Sequence, residues 1–118
     1  AEELLRLIER ALVGAVLVLP FPYSDRLPEK RRPAVVISSP ALERNHGLVW
    51  VAMVTSDRGK LLADDVSIAQ LVKAGLPAAS VVRPTKLATI EPARVIRVAG
   101  ALVKADLQAV LTAVAKYL

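Results

Sequence analysis

Apolar positions recur along this chain in two rhythms, one of period two and one near 3.6. Residues 15–21 (AVLVLPF) are almost wholly apolar and predict a strand, which the prolines and polar residues of 20–33 (PFPYSDRLPEKRRP) break into a loop. A second strand is expected over 34–39 (AVVISS). Residues 47–56 (GLVWVAMVTS) are apolar on both alternating faces, with Leu48, Trp50, Ala52 and Val54 on one and Val49, Val51 and Met53 on the other. Such a strand has to be covered on both sides, here by the core and by a partner subunit. Trp50 is therefore expected in the core.

Residues 57–65 (DRGKLLADD) read as a loop, with Asp64 and Asp65 as a solvated lead into a short strand over 66–68. Further strands follow over 79–90 (ASVVRPTKLATI) and 93–102 (ARVIRVAGAL), separated by a turn around Glu91 and Pro92. The second rhythm appears at the two ends of the chain. Leu107, Val110, Leu111, Val114 and Leu118 fall at i, i+3, i+4, i+7 and i+11, the spacing of an amphipathic helix. Leu5, Ile8 and Leu12 share a helical face before Gly14, and Glu2 precedes Arg6 in the favourable i,i+4 order. The fold class expected is mainly β (α+β): a small, strongly curved barrel of five or six strands closed by a C-terminal helix, with a short extra helix over residues 1–13. At 118 residues, one domain is expected.

Composition narrows the chemistry. Hydrophobic residues make up 54% of the chain and aromatics only 3%, so the core has to be built from Val, Leu, Ile and Ala. There is no cysteine, which excludes disulfides, thiolate metal sites and cysteine nucleophiles and fits a reducing cytoplasm. The longest apolar run, 11–21, is shorter than the ~20 residues that cross a bilayer. Acidic residues before it argue against an export signal. A cytoplasmic protein with no membrane partner is expected.

The single histidine, His46, lies in an Asn-His-Gly sequence that reads as a turn with Gly47 in the left-handed region, and no G-x-S-x-G elbow accompanies it. Asp25, Asp57, Asp64 and Asp65 lie in no metal-ligand spacing, so neither a metal nor a cofactor is expected. The net charge of +5 favours an anionic partner without identifying one. Its densest cluster is Lys30, Arg31 and Arg32, directly before Pro33. Such a run reads either as a solvated loop or as a phosphate-holding group, since a guanidinium matches a phosphate in fork geometry.

Three segments taken in order decide between these readings. GAVLVLPFPYSD (14–25), KRRPAVVIS (30–38) and LVWVAMVTS (48–56) resemble the opening strand, the R-P-x-[LV]-V-[LI] signature and the T-S strand end of the MazF/PemK family of toxin endoribonucleases from bacterial toxin–antitoxin pairs. AGLPAASVVRPTKLATIEPARV (74–95) is similar to a further segment of that family, so the resemblance runs from Gly14 to the C-terminus. It implies an SH3-like β-barrel, a homodimer, a cognate antitoxin and cleavage of single-stranded RNA without metal, leaving a 2′,3′-cyclic phosphate and a 5′-hydroxyl. By motif, the catalytic pair is Arg32 and Thr55.

Around that pair the RNA-binding residues expected are Lys30, Arg31 and Ser56, with Tyr23 as a stacking surface and Arg83 and Lys86 extending the cationic track. Ala15 departs from the family pattern, which carries an acidic residue there; the helix before Gly14 lies outside it. Two other readings share the barrel: a non-catalytic RNA-binding module, and a relative that inhibits DNA gyrase.

Overall fold

A computed structural model of the chain describes residues 13–21 and 30–118. The helix expected before Gly14 and the Tyr23 loop lie outside the described residues. Within them the fold is one antiparallel sheet of six strands. The strands are β1 (Ala15–Phe21), β2 (Lys30–Val36), β3 (Val49–Ser56), β4 (Val66–Ser67), β5 (Ser80–Ile90) and β6 (Arg97–Ala101), and they lie in the order β4-β5-β3-β2-β1-β6. The helices are α1 (Pro40–His46), α2 (Leu71–Ala74) and α3 (Lys104–Ala115), and a 3-10 turn covers Pro92–Arg94.

Alternation along the strands builds two cores, one on each face of the sheet. Leu17, Leu19, Phe21, Ala34, Val36, Val51 and Met53 fill the inside of the curl, joined by Ile90 and Val95. Val16, Val35, Ala52, Val54 and Val82 face the other way and are covered by Val110 of α3, Ala74 of α2 and Leu102. The double burial expected of β3 is thus supplied largely by the chain's own helix layer. A partner subunit is not needed for Ala52 or Val54.

Two irregularities bend the sheet. The β1–β6 register shifts between Val16 and Leu17, and the β3–β5 register jumps between Ala52, opposite Leu87, and Met53, opposite Arg83. The residues skipped in β5, Pro84 to Lys86, form a bulge that strengthens the local twist. Across the gap between the sheet's two edges α2 packs on β6. Gly75, in the left-handed region at φ +74°, lies against the Ala99 carbonyl, and Gly100 lies against the carbonyls of Lys73 and Ala74. A side chain at either glycine would displace backbone, so the close approach requires them.

Several expectations need correction. The second strand begins at Lys30 rather than Ala34 and ends at Val36, so the three cations belong to a strand and not to a loop. His46 is the last residue of α1, a helix the sequence reading missed, although Gly47 does adopt the expected left-handed conformation and caps it. Leu118 is almost fully exposed beyond the end of α3, while Val110 is buried. Trp50 is half exposed. It stands on the helix-covered face, but α3 does not reach over it.

Candidate functional site

The candidate site lies where β2 and β3 part. Their ladder pairs Val36 with Val51, Val35 with Ala52 and Ala34 with Met53, and there it stops. The next residue of β2 is Pro33, which has no N–H to donate, so the pairing ends for a covalent reason. Continued two steps, the same register sets Arg32 across from Thr55. Both belong to the face that Ala34, Val36, Val51 and Met53 turn toward the inside of the curl. On its other side β2 remains paired with β1, which holds Arg32 opposite Leu19, Arg31 opposite Pro20 and Lys30 opposite Phe21. Arg32 and Thr55 are half-buried, whereas Arg31 and Ser56 are exposed.

The loop after β3 is tied down along its length. The Asp57 amide donates to the Ala79 carbonyl at 3.3 Å, and the Arg58 amide donates to Ser56 Oγ at 3.2 Å. The Ser56 hydroxyl thus shapes the first turn of the loop. Further on, the Arg83 guanidinium grips Asp65 with both arms, Nε 3.1 Å from Oδ1 and Nη2 2.9 Å from Oδ2. Nη2 also donates to the Lys60 carbonyl, and Asp65 Oδ2 accepts from the Leu62 amide. Asp65 is nearly buried, with only 4% of its side chain exposed. The Arg83 guanidinium, and secondarily the Leu62 amide, hold its carboxyl below the usual carboxylate range; Asp65 in turn raises Arg83.

Neither aspartate is the solvated lead that the sequence suggests. Asp64 has φ +75°, and is the one non-glycine residue with positive φ among the described residues. Its carboxylate accepts from the Tyr117 hydroxyl at 2.6 Å and from Lys116 Nζ at 3.1 Å. These bonds, the tyrosine's first, lower its pKa.

Arg83 lies opposite Met53, diagonal on the sheet to Thr55, and its fork is taken up by Asp65. Lys86 is exposed on the bulge of β5. Tyr23 and the side chain of Lys30 lie outside what is described. Ala15 is fully buried in the inner core, four residues along β1 from the partner of Arg32, roughly 13 Å at strand spacing. The departure from the family pattern thus falls at a buried core position.

A second concave feature lies on the far face, where Trp50, Ile37, Leu87, Leu111, Val114 and Leu118 line an apolar groove of about 520 Å3. The sequence reading missed it, because periodicity assigns Trp50 to a face but not to the part of the face that a helix covers.

The sequence description of the PemK-like, MazF-like toxin of type II toxin–antitoxin systems matches residues 13–118. No curated protein matches in sequence. Among solved structures, a MazE-MazF crystal structure from Deinococcus radiodurans is similar at TM-score 0.67 and 22% identity, covering 88% of this chain and 90% of that one. An endoribonuclease in complex with its cognate antitoxin, from a mycobacterial species, is similar at TM-score 0.70 and 19% identity, over 89% and 91%. The Mycobacterium tuberculosis toxin MazF-mt6 gives TM-score 0.67 and 22% identity, over 86% and 93%. At these identities the structural likeness speaks for the fold.

Proposed function

The chain belongs to the PemK-like, MazF-like toxin family of type II toxin–antitoxin systems, and from that premise we propose that it is a metal-independent endoribonuclease that cuts single-stranded RNA at Arg32 and Thr55. The observation that supports the reading is the β2–β3 ladder ending at Ala34 and Met53, beside Pro33, whose register, continued past its end, sets Arg32 across from Thr55.

In the reaction the 2′-oxygen of a ribose attacks the adjacent phosphorus. The new 2′-O–P bond forms as the P–O5′ bond breaks, the 2′ proton is lost, and the departing 5′-oxygen gains a proton. The products are a 2′,3′-cyclic phosphate and a 5′-hydroxyl. Negative charge grows on the phosphoryl oxygens as the bonds exchange, and a fixed guanidinium with a hydroxyl donor beside it lowers that barrier. Arg32 supplies the charge. A guanidinium is a permanent cation and a poor base, so its role is electrostatic. The Thr55 hydroxyl donates to the same phosphate and orients it.

Lys30, Arg31 and Lys86 neutralise neighbouring phosphates, a sequence-blind and salt-sensitive contribution. Ser56 assists at the phosphate, and Tyr23 stacks on a base. Arg83 takes a narrower role than a free cation in the track would have. Its fork is committed to Asp65, so it acts through the loop that it anchors.

The protein partners implied are a cognate antitoxin and a second copy of this chain, with the activity exerted in the cytoplasm. Two of the similar solved structures are described as complexes with MazE or with a cognate antitoxin, which supports the first of these. End-group analysis tests the chemistry. RNA incubated with the protein in EDTA should yield discrete fragments whose 5′ ends accept labelled phosphate from a kinase without prior phosphatase treatment. Fragments carrying 5′-phosphates would contradict this mechanism, and RNA bound but left intact would point to a binding module.

A further inference from the structure

The nine residues between β3 and β4 leave Thr55 and Ser56 directly, and they carry two exposed cations, Arg58 and Lys60. Two adjacent carboxylates fix the far end of this loop to two different parts of the fold. Asp65 ties it to the sheet through Arg83, whose Nη2 also reaches the Lys60 carbonyl. Asp64 ties it to the C-terminal turn, through the Tyr117 hydroxyl at 2.6 Å and Lys116 Nζ at 3.1 Å.

The second tie is the unexpected one. Its ion pair is made by Lys116, whose side chain is largely exposed, and such surface pairs contribute little to stability. The tie is also made by a residue in the left-handed region, a conformation that non-glycine residues adopt against a steric cost. A bond that adds little to stability, held in a costly backbone conformation, supplies position. The loop it positions borders the proposed cleavage point.

We propose that Asp64 latches the C-terminal turn to the 57–63 loop, so that Lys116 and Tyr117 are positioning residues for the RNA strand that passes Thr55. The inference rests on the endoribonuclease reading for its substrate, but the latch itself is a property of the protein alone. With the latch closed, Arg58 and Lys60 are presented at a fixed place beside Thr55. With it open, the loop keeps its bonds at Asp57, Arg58, Lys60 and Asp65, but its far end is released from the C-terminal turn, and the two cations sample a wider volume. Arg32 and Thr55 are strand residues and do not move. The latch therefore governs how well RNA is held, and leaves the chemical step alone.

Three variants test it: Tyr117→Phe, which removes one donor; Asp64→Gly, which removes the carboxylate and relieves the backbone; and the double variant. On a fluorescent single-stranded RNA, each single variant is expected to raise KM about three- to tenfold with kcat within twofold of the wild type. The double variant should be no worse than Asp64→Gly, because both changes open the same bond. Amide hydrogen exchange at residues 57–63, measured without RNA, should accelerate in all three. An active wild type whose variants keep both KM and exchange rates unchanged overturns the latch alone. Accelerated exchange in the variants of a protein whose wild type neither binds nor cuts RNA overturns the nuclease reading, and with it the proposed consequence for RNA. A fall in kcat that parallels a fall in melting temperature assigns these residues a purely structural role and also overturns the proposal.

Discussion

Arg83 and Asp65 meet in a two-armed fork, Nε to Oδ1 at 3.1 Å and Nη2 to Oδ2 at 2.9 Å, with the carboxylate nearly buried. Eighteen residues separate them in sequence. The pair joins the loop that follows the proposed catalytic strand to the sheet that carries it, so Arg83, expected from the sequence in the RNA-binding track, also anchors that loop.

Replacing Asp65 with Asn should lower stability by about 2–3 kcal/mol, the cost of a charge-assisted bond lost with its partner left in place. The wild type should also show the pair in its acid limb. Asp65 is held below its ordinary value of 3.8. Its contribution is therefore complete above that value and disappears as pH falls through the lower folded pKa. Denaturant melts between pH 2 and pH 6 check this: the difference between wild type and Asp65→Asn should narrow toward the acid end, and a constant difference would contradict it.

Gly75→Ala should cost about 2–3 kcal/mol, since the residue sits at φ +74° and its new methyl would meet the Ala99 backbone. Gly47→Ala, also at positive φ but with open space around it, should cost less. Thermal melts of the two variants separate conformational strain from the steric contact between α2 and β6.

Leu17→Ala should destabilise the fold by about 2–5 kcal/mol, because Leu17 is fully buried in the inner core. Trp50→Ala should cost clearly less, as Trp50 is 50% exposed. Trp50 is also the only tryptophan, so its emission reports on the apolar groove without interference. In dilute protein it should be red-shifted and quenched by iodide. A blue-shifted, iodide-resistant emission at all concentrations would contradict the exposure described.

Much of this fold is legible from alternation alone, and its failures have identifiable causes. β1, β3 and β5 are apolar enough to declare themselves, and the spacing of Leu107, Val110, Leu111 and Val114 marks α3. The start of β2 is hidden because Lys30, Arg31 and Arg32 look like loop, yet strand pairing with β1 accommodates them at the margin of the sheet. α1 was signalled by Ser39 and Pro40 at its start and Gly47 at its end, a pattern of helix punctuation that the polar turn reading of Asn45 to Gly47 obscured. The roles of Asp64 and Asp65 could not be read locally. Their partners lie at residues 83, 116 and 117, and nothing in a run of two aspartates points there.

The candidate site divides in the same way. Arg32 and Thr55 are recognisable by motif, and Pro33 explains why the strands part beside them. That Arg32 falls across from Thr55 when the register is continued depends on the pairing of Ala34 with Met53, a relationship between strands that sequence spacing does not contain.

The most direct test of the account is single-turnover cleavage of a long single-stranded RNA in EDTA, comparing the wild type with Arg32→Ala at matched folding, judged by circular dichroism. Loss of a preorganised charge at the phosphate predicts a rate lower by about 10²–10³-fold, with the fragment pattern of the wild type retained in whatever cleavage remains. Cleavage by Arg32→Ala at the wild-type rate, or a wild type inert on diverse RNAs, would contradict it.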